Sequence, residues 1–267
     1  MKRSTVHWLS SLAVGLTVLL MTFGAYSRGS GFDGAVLWMA VLVGFVAIII
    51  VFASVRLGLD RRWVVLPAAG AVVAIGIQAW LGWLHSNSDS GQEFVLAHLF
   101  VSLMIIGLLV IVAVSTRAAP DGPNLLERDW SRQLAIGSLG VFIVLMLGSM
   151  IHDIDVSGWL KVNGEWAPDF SESSELSLYW GHRMASAAVF VYLLFLVWRG
   201  AHVERPRTEG YLVIGATLLF VANIVLGILQ VTIEAQWDWA GALHLGLGTA
   251  TWAALLGATF LSFHDPR

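Results

Sequence analysis

Eight apolar runs limit what this chain can fold into more than any other feature. They cover roughly residues 6–26, 35–55, 63–84, 93–114, 133–151, 178–198, 210–233 and 239–262. Each is close to the roughly 20 residues that an α-helix needs to cross a bilayer. Val36–Val55 and Phe94–Val114 contain no Asp, Glu, Lys or Arg. Lipid offers the backbone no hydrogen-bond partner, so such runs must satisfy themselves as helices. Of the 267 residues, 57% are hydrophobic and 12% charged, too few polar groups to cover a water-soluble domain of that size. The predicted fold is all-α: a polytopic membrane protein with eight transmembrane helices.

Charge then orients the chain. Lys2, Arg3, Arg56, Arg61, Arg62, Arg117, Arg128, Arg132, Arg199, Arg205, Arg207 and Arg267 fall on one side, twelve of the 15 basic residues. Arg28, Lys161 and Arg183 fall on the other. The basic side is expected to be cytoplasmic, which puts both termini inside. The first run follows Lys2-Arg3 as in a signal peptide, but no A-x-A-like site comes after it, and it reads as a retained helix. A net charge of −3 carries no footprint for nucleic acid, so membrane lipid is the expected surroundings. There is no cysteine, which excludes disulfides and thiolate metal sites. Several of the 13 tryptophans (Trp8, Trp83, Trp159, Trp166, Trp237) sit near predicted helix ends, as interfacial anchors do.

An internal repeat divides the runs into two sets of four. "QAWLG" at 78–82 answers "NIVLG" at 223–227, with the amides Gln78 and Asn223 each four residues before a glycine. Ala-His-Leu at 97–99 answers Leu-His-Leu at 243–245. The offset is 145 residues for the Leu-Gly pairs and 146 for the histidines. The expected organisation is a four-helix bundle over 1–114, a Pro- and Gly-containing cytoplasmic linker over 115–131, and a second bundle over 132–267. The halves differ most in their first outer loop, brief at 27–34 and long at 152–177.

The histidines carry the chemistry. His7, His202 and His264 lie toward the cytoplasmic side and read as surface residues. His85, His98, His152, His182 and His244 lie toward the outer ends of helices. An imidazole inside a membrane is costly unless it is paired, hydrogen-bonded or metal-bound. His182 and His244 lie on alternate helices entering from the same face, so their depths should match. Gly241 and Gly248 share the stripe of His244, and Gly181, Ala185 and Ser186 surround His182. Two neutral imidazoles with cleared space between them suit low-spin haem iron in a helix bundle. Interhelical hydrogen bonding between packed helices is the competing reading. Arg183, beside His182, is placed to pair with a haem propionate.

The first half departs from this pattern. His98 answers His244, but Leu37 stands where the counterpart of His182 would be. His85 reads as a polar residue at the loop edge. Asp33, at the start of the second helix, suits a helix cap or an acid/base role. Arg28, in a glycine-rich turn, suits a propionate partner or a loop anchor.

These pieces together resemble the heme A synthase family of cytochrome oxidase assembly enzymes. The resemblance rests on "GAYSRGSG" after the first helix and "LGSMIHD" after the fifth. It continues through "GHRM" opening the sixth, the two Leu-Gly motifs, and "AHL" and "LHL" in the fourth and eighth. It covers nearly the whole chain. The resemblance implies a b haem held by His182 and His244 in a prokaryotic plasma membrane. It implies oxidation of a ring methyl of haem O to a formyl group in the first half, giving haem A. Haem O is then the substrate, with haem O synthase and terminal oxidase subunits as partners. In the family a histidine pair and a helix-two glutamate handle haem O. Here only His98 remains of that pair, and Asp33 is the nearest carboxylate. The outer-loop cysteine pair of many members is absent. The alternative is a non-catalytic b-haem assembly or electron-transfer protein. A transporter is disfavoured, because no ionisable residue lies at a helix midpoint.

Overall fold

Each apolar run is helical over nearly all its described residues, the third beginning in a π-helical turn. The computed structural model describes residues 1–27, 33–87, 92–117, 128–151, 174–202, 207–232 and 238–263. The helices are α1 (Arg3–Ser27), α2 (Asp33–Arg56), α3 (Leu66–Asn87), α4 (Gln92–Thr116), α5 (Arg128–Met150), α6 (Ser174–Gly200), α7 (Arg207–Thr232) and α8 (Asp238–Phe263). All eight are long and apolar enough to cross a membrane. Most extend beyond the apolar run, because helix continues into polar flanks that satisfy its free ends. His85 lies in the last turn of α3, at the outer end of the helix.

Between α2 and α3 the chain turns within a few residues. Gly58 takes a left-handed φ of 61°, a conformation that a Cβ would oppose. The carboxylate of Asp60 then accepts from the Trp63 backbone N–H at 2.7 Å and caps a π-helical turn over Arg61–Val65.

The helices pack as two rings of four. In the first, α1 touches α2 and α4, and α3 touches α2 and α4. In the second, α5 touches α6 and α8, and α7 touches α6 and α8. Among the described residues, α2 and α4 make no close backbone approach, and neither do α6 and α8. Each of those pairs therefore faces across a ring diagonal. The rings join where α1 meets α8 and where α4 meets α5 and α8.

Packing follows that plan. Leu103 and Ile106 of α4 enter a core with Leu134, Leu193, Phe220 and Leu255 of the second ring. Ile105 and Leu109 of the same helix enter a core with Val6, Ile50 and Ala71 of the first. The faces pointing away from the rings are equally apolar. Trp38, Phe45 and Phe52 on α2 and Leu218 on α7 are 61–74% exposed, as expected where lipid tails replace water.

Polar ties gather at the basic end. Arg3 donates to the Ser115 carbonyl at 2.7 Å, and His7 Nδ1 meets the Ala113 carbonyl at 2.8 Å, joining α1 to α4. His7 is thus an interhelical bonder and not simply a surface residue. His202 is exposed and its Nδ1 meets the Trp198 carbonyl at 2.8 Å, closing the end of α6. His264 and residues 118–127 of the linker lie outside the described residues. Ser131 donates to the Ser262 carbonyl at 3.0 Å, joining α5 to α8. Arg117 reaches from α4 to the Thr208 hydroxyl of α7 at 2.8 Å, across the two rings.

Glu209 is fully buried there, and the Trp130 indole donates to it at 3.1 Å. Changing Trp130 to Phe keeps the aromatic packing and removes that donor from a buried carboxylate. The expected cost is about 1–3 kcal/mol, read as a lowered unfolding midpoint in detergent.

Candidate haem site

Two histidines in the second ring are held in the same way. His182 sits two turns into α6, and its Nδ1 lies 3.2 Å from the Val144 carbonyl of α5. His244 sits nearly two turns into α8, and its Nδ1 lies 3.0 Å from the Asn223 carbonyl of α7. A carbonyl can only accept, so Nδ1 must carry the proton in each ring. In a neutral imidazole this leaves the Nε2 lone pair for a ligand or metal. Such an outer hydrogen bond is what fixes the tautomer and orientation of a metal-binding histidine.

A glycine lies under each imidazole, four residues after the carbonyl that holds it. A Cβ at Gly148 would stand 3.0 Å from His182 Cε1, and one at Gly227 would stand 2.9 Å from His244 Cε1. The imidazoles thus rest on bare backbone. His182 leans from α6 onto α5, and His244 leans from α8 onto α7. Since α6 and α8 are diagonal partners, both imidazoles belong to the same bundle interior. Neighbouring axes roughly 8–10 Å apart put diagonal helices roughly 11–14 Å apart. Gly248 tightens this region further. A Cβ there would meet Leu145 Cδ2 at 2.8 Å and Asn223 Nδ2 at 3.3 Å, so α8 approaches α5 and α7 closely.

Arg183 lies one residue beyond His182. Its guanidinium stacks over Tyr179 at 4.2 Å and reaches Trp180 at 5.5 Å, and it donates to the Tyr179 hydroxyl. Among the described residues, the buried Trp180 indole N–H meets no hydrogen-bond partner. A cation beside such a donor suits an anionic carboxylate. Tyr179, Trp180 and the Val144 carbonyl carry little signal in the sequence. A carbonyl leaves no trace in side-chain identity, and a tyrosine and tryptophan near a helix end resemble ordinary anchors.

The first ring differs. The His98 side chain on α4 is exposed, and so is Leu37 on α2, at 63%. Gly82 lies 145 residues before Gly227, yet a Cβ there would meet nothing within 4 Å among the described residues. His98 therefore does not rest on Gly82 as His244 rests on Gly227. Gln78, the counterpart of Asn223, donates instead to Ser102 at 2.6 Å, and Ser102 in turn donates to the His98 carbonyl at 2.9 Å. Asp33 opens α2, but its side chain, that of His85, and all of Arg28 and His152 lie outside the described residues.

Among the described residues, no group of three or more His, Cys, Asp or Glu could hold a bare metal ion. Haem iron needs no such group, because the porphyrin supplies four nitrogens and the protein only the axial ligands. The paired neutral imidazoles fit that requirement.

The sequence model of the cytochrome oxidase assembly proteins, the heme A synthase family, matches residues 38–256. The chain belongs to this family. The match takes in His98, His182 and His244 and begins just after Leu37, so Arg28 and Asp33 lie ahead of it. No curated protein matches the chain. Membership links this membrane protein to heme A synthesis and oxidase assembly at the level of the family.

Proposed function

We propose that this family member is a haem-binding membrane oxidoreductase of the heme A synthase type, built from two tandem four-helix repeats. The observation that carries the reading is the matched pair in the second ring. Two histidines on diagonal helices each have Nδ1 on a backbone carbonyl and a glycine beneath the imidazole. His182 and His244 would hold a b haem through Nε2, and Arg183 would pair with a propionate, with Arg28 as a second anion partner. A haem bound there supplies one-electron transfer within the bilayer. The carbonyls of Val144 and Asn223 would fix the Nδ1–H tautomer and orient both imidazoles, and the apolar helix faces would exclude water.

The first ring would receive haem O, whose ring methyl is oxidised to a formyl group. His98 would be its protein ligand, with Asp33 as the acid/base residue. With Leu37 in place of a second histidine, the haem iron would keep an open position if Leu37 is opposite His98, which is compatible with oxygen chemistry. The same observation favours a second reading, a b-haem assembly or electron-transfer protein whose first ring is scaffold only. The partners of either form would be haem O synthase or terminal oxidase subunits.

Haem extraction and reverse-phase chromatography distinguish the two. Protein purified from cells that also make haem O is expected to yield haem B with haem A or hydroxylated intermediates. His98→Ala should lower haem A output at least ~10-fold while keeping haem B, as loss of a metal ligand does. Haem B alone in the parent would establish the second reading. A His98→Ala protein producing haem A at the parental rate would remove His98 from the chemistry.

A further inference from the structure

The glycines under the two imidazoles have a role that helix packing does not require. Membrane helices use small residues where backbones approach, and Gly137 and Gly140 do so against Leu196 and Val189 of α6. Gly148 and Gly227 are different, since the first neighbour of an added Cβ is in each case an imidazole carbon. The approach is 3.0 Å at Gly148 and 2.9 Å at Gly227, with Nδ1 next at 3.4 and 3.3 Å. Neither imidazole can yield freely, because Nδ1 is tied to the carbonyl one turn earlier on the same helix. A hydrogen bond fixes one atom of an imidazole and leaves the plane free to swing. A surface beneath it removes that swing.

We propose that Gly148 and Gly227 are positioning residues that set the planes of His182 and His244 and thereby the electronic character of the haem iron between them. The proposal rests on the reading of these histidines as haem ligands. An added methyl must push the imidazole off its seat, and the displacement stretches the bond to Val144 or Asn223. Ligand-plane orientation and Nδ1 hydrogen bonding both tune the iron, so its spectrum and potential should move even where haem is retained.

The structure supplies its own controls. Gly215 lies on α7, and Gly82 is the sequence counterpart of Gly227. A Cβ at either meets nothing within 4 Å among the described residues. Alanine is the better helix former at all four positions, so backbone propensity does not separate the two groups.

The test compares Gly148→Ala and Gly227→Ala with Gly215→Ala and Gly82→Ala in purified full-length protein. The haem-to-protein ratio, the low-field electron paramagnetic resonance signal and the reduction midpoint of haem B are measured on the monodisperse fraction. The two seat variants are expected to shift the signal and the midpoint, with haem content about threefold lower or less, while the controls match the parent. Seat variants that match the parent in all three readouts overturn the proposal and leave the haem site standing. Controls that shift as far as the seat variants also overturn it, since the effect would then be general to these helices. A parent protein without haem overturns the haem reading itself and the proposal with it.

Discussion

Replacing either His182 or His244 with alanine should strip the b haem from the protein. Each histidine would supply one of two axial ligands, and the diagonal placement of α6 and α8 brings no third imidazole of the second ring into reach among the described residues. Outer-shell changes alone cost roughly 10–100-fold in metal affinity, so loss of a ligand should cost about a hundredfold or more. The expected readout is a pyridine haemochrome below about a tenth of the parental value, with the helical circular dichroism of the membrane domain unchanged. The fold should survive because neither imidazole belongs to the buried hydrocarbon core around Leu193 and Leu255. Parental haem content in both variants would return the two residues to interhelical bonding, the carbonyl contacts being their whole purpose.

The second large effect should come from Gly137→Leu. A Cβ there would stand 2.9 Å from Leu196 Cδ1, 3.2 Å from Leu255 Cδ2 and 3.4 Å from Tyr192 Cε1. Leu196 and Leu255 are fully buried, so neither has space to retreat. Overpacking a filled core commonly costs about 1–3 kcal/mol, and a whole isobutyl group against three neighbours belongs at or above the upper end. Thermal unfolding in detergent should show a clearly lowered midpoint, and haem B should dissociate earlier on heating. Gly15→Leu on α1 gives the contrast, since a Cβ there meets nothing within 4 Å among the described residues. That variant should keep the parental midpoint. Equal destabilisation of both would mean that α5 does not pack against α6 and α8 as described.

Several features of the site are legible in the sequence. The spacing of the two Leu-Gly pairs puts Gly82 and Gly227 at matching positions, and the small residues around His182 and His244 mark cleared space. The histidines stand out because an imidazole in an apolar run needs a reason to be there. The replacement by Leu37 is equally plain, since the counterpart position of His182 holds leucine. Other features have no sequence signal. Nothing in "LGSMIHD" says that Gly148 faces an imidazole on another helix, because a glycine reads the same against a ring, a methyl or lipid. His7 looks like a surface residue, since the Ala113 carbonyl that meets it lies on a helix far along the chain.

The sequence by itself determined that this chain is an all-α membrane protein with eight runs long and apolar enough to cross as helices. That follows from local physics: run length, apolarity and the need of each backbone group for a partner inside its own segment. The order of the helices into rings could not follow from the same source. Lipid-facing and protein-facing sides are equally apolar on α2 and α4, so no periodicity marks which face turns inward. Only the tertiary structure decided that α6 and α8 stand on a diagonal, with α5 and α7 offering a carbonyl and a bare glycine to each imidazole. Those contacts depend on backbone placement between helices, a property that no single segment encodes.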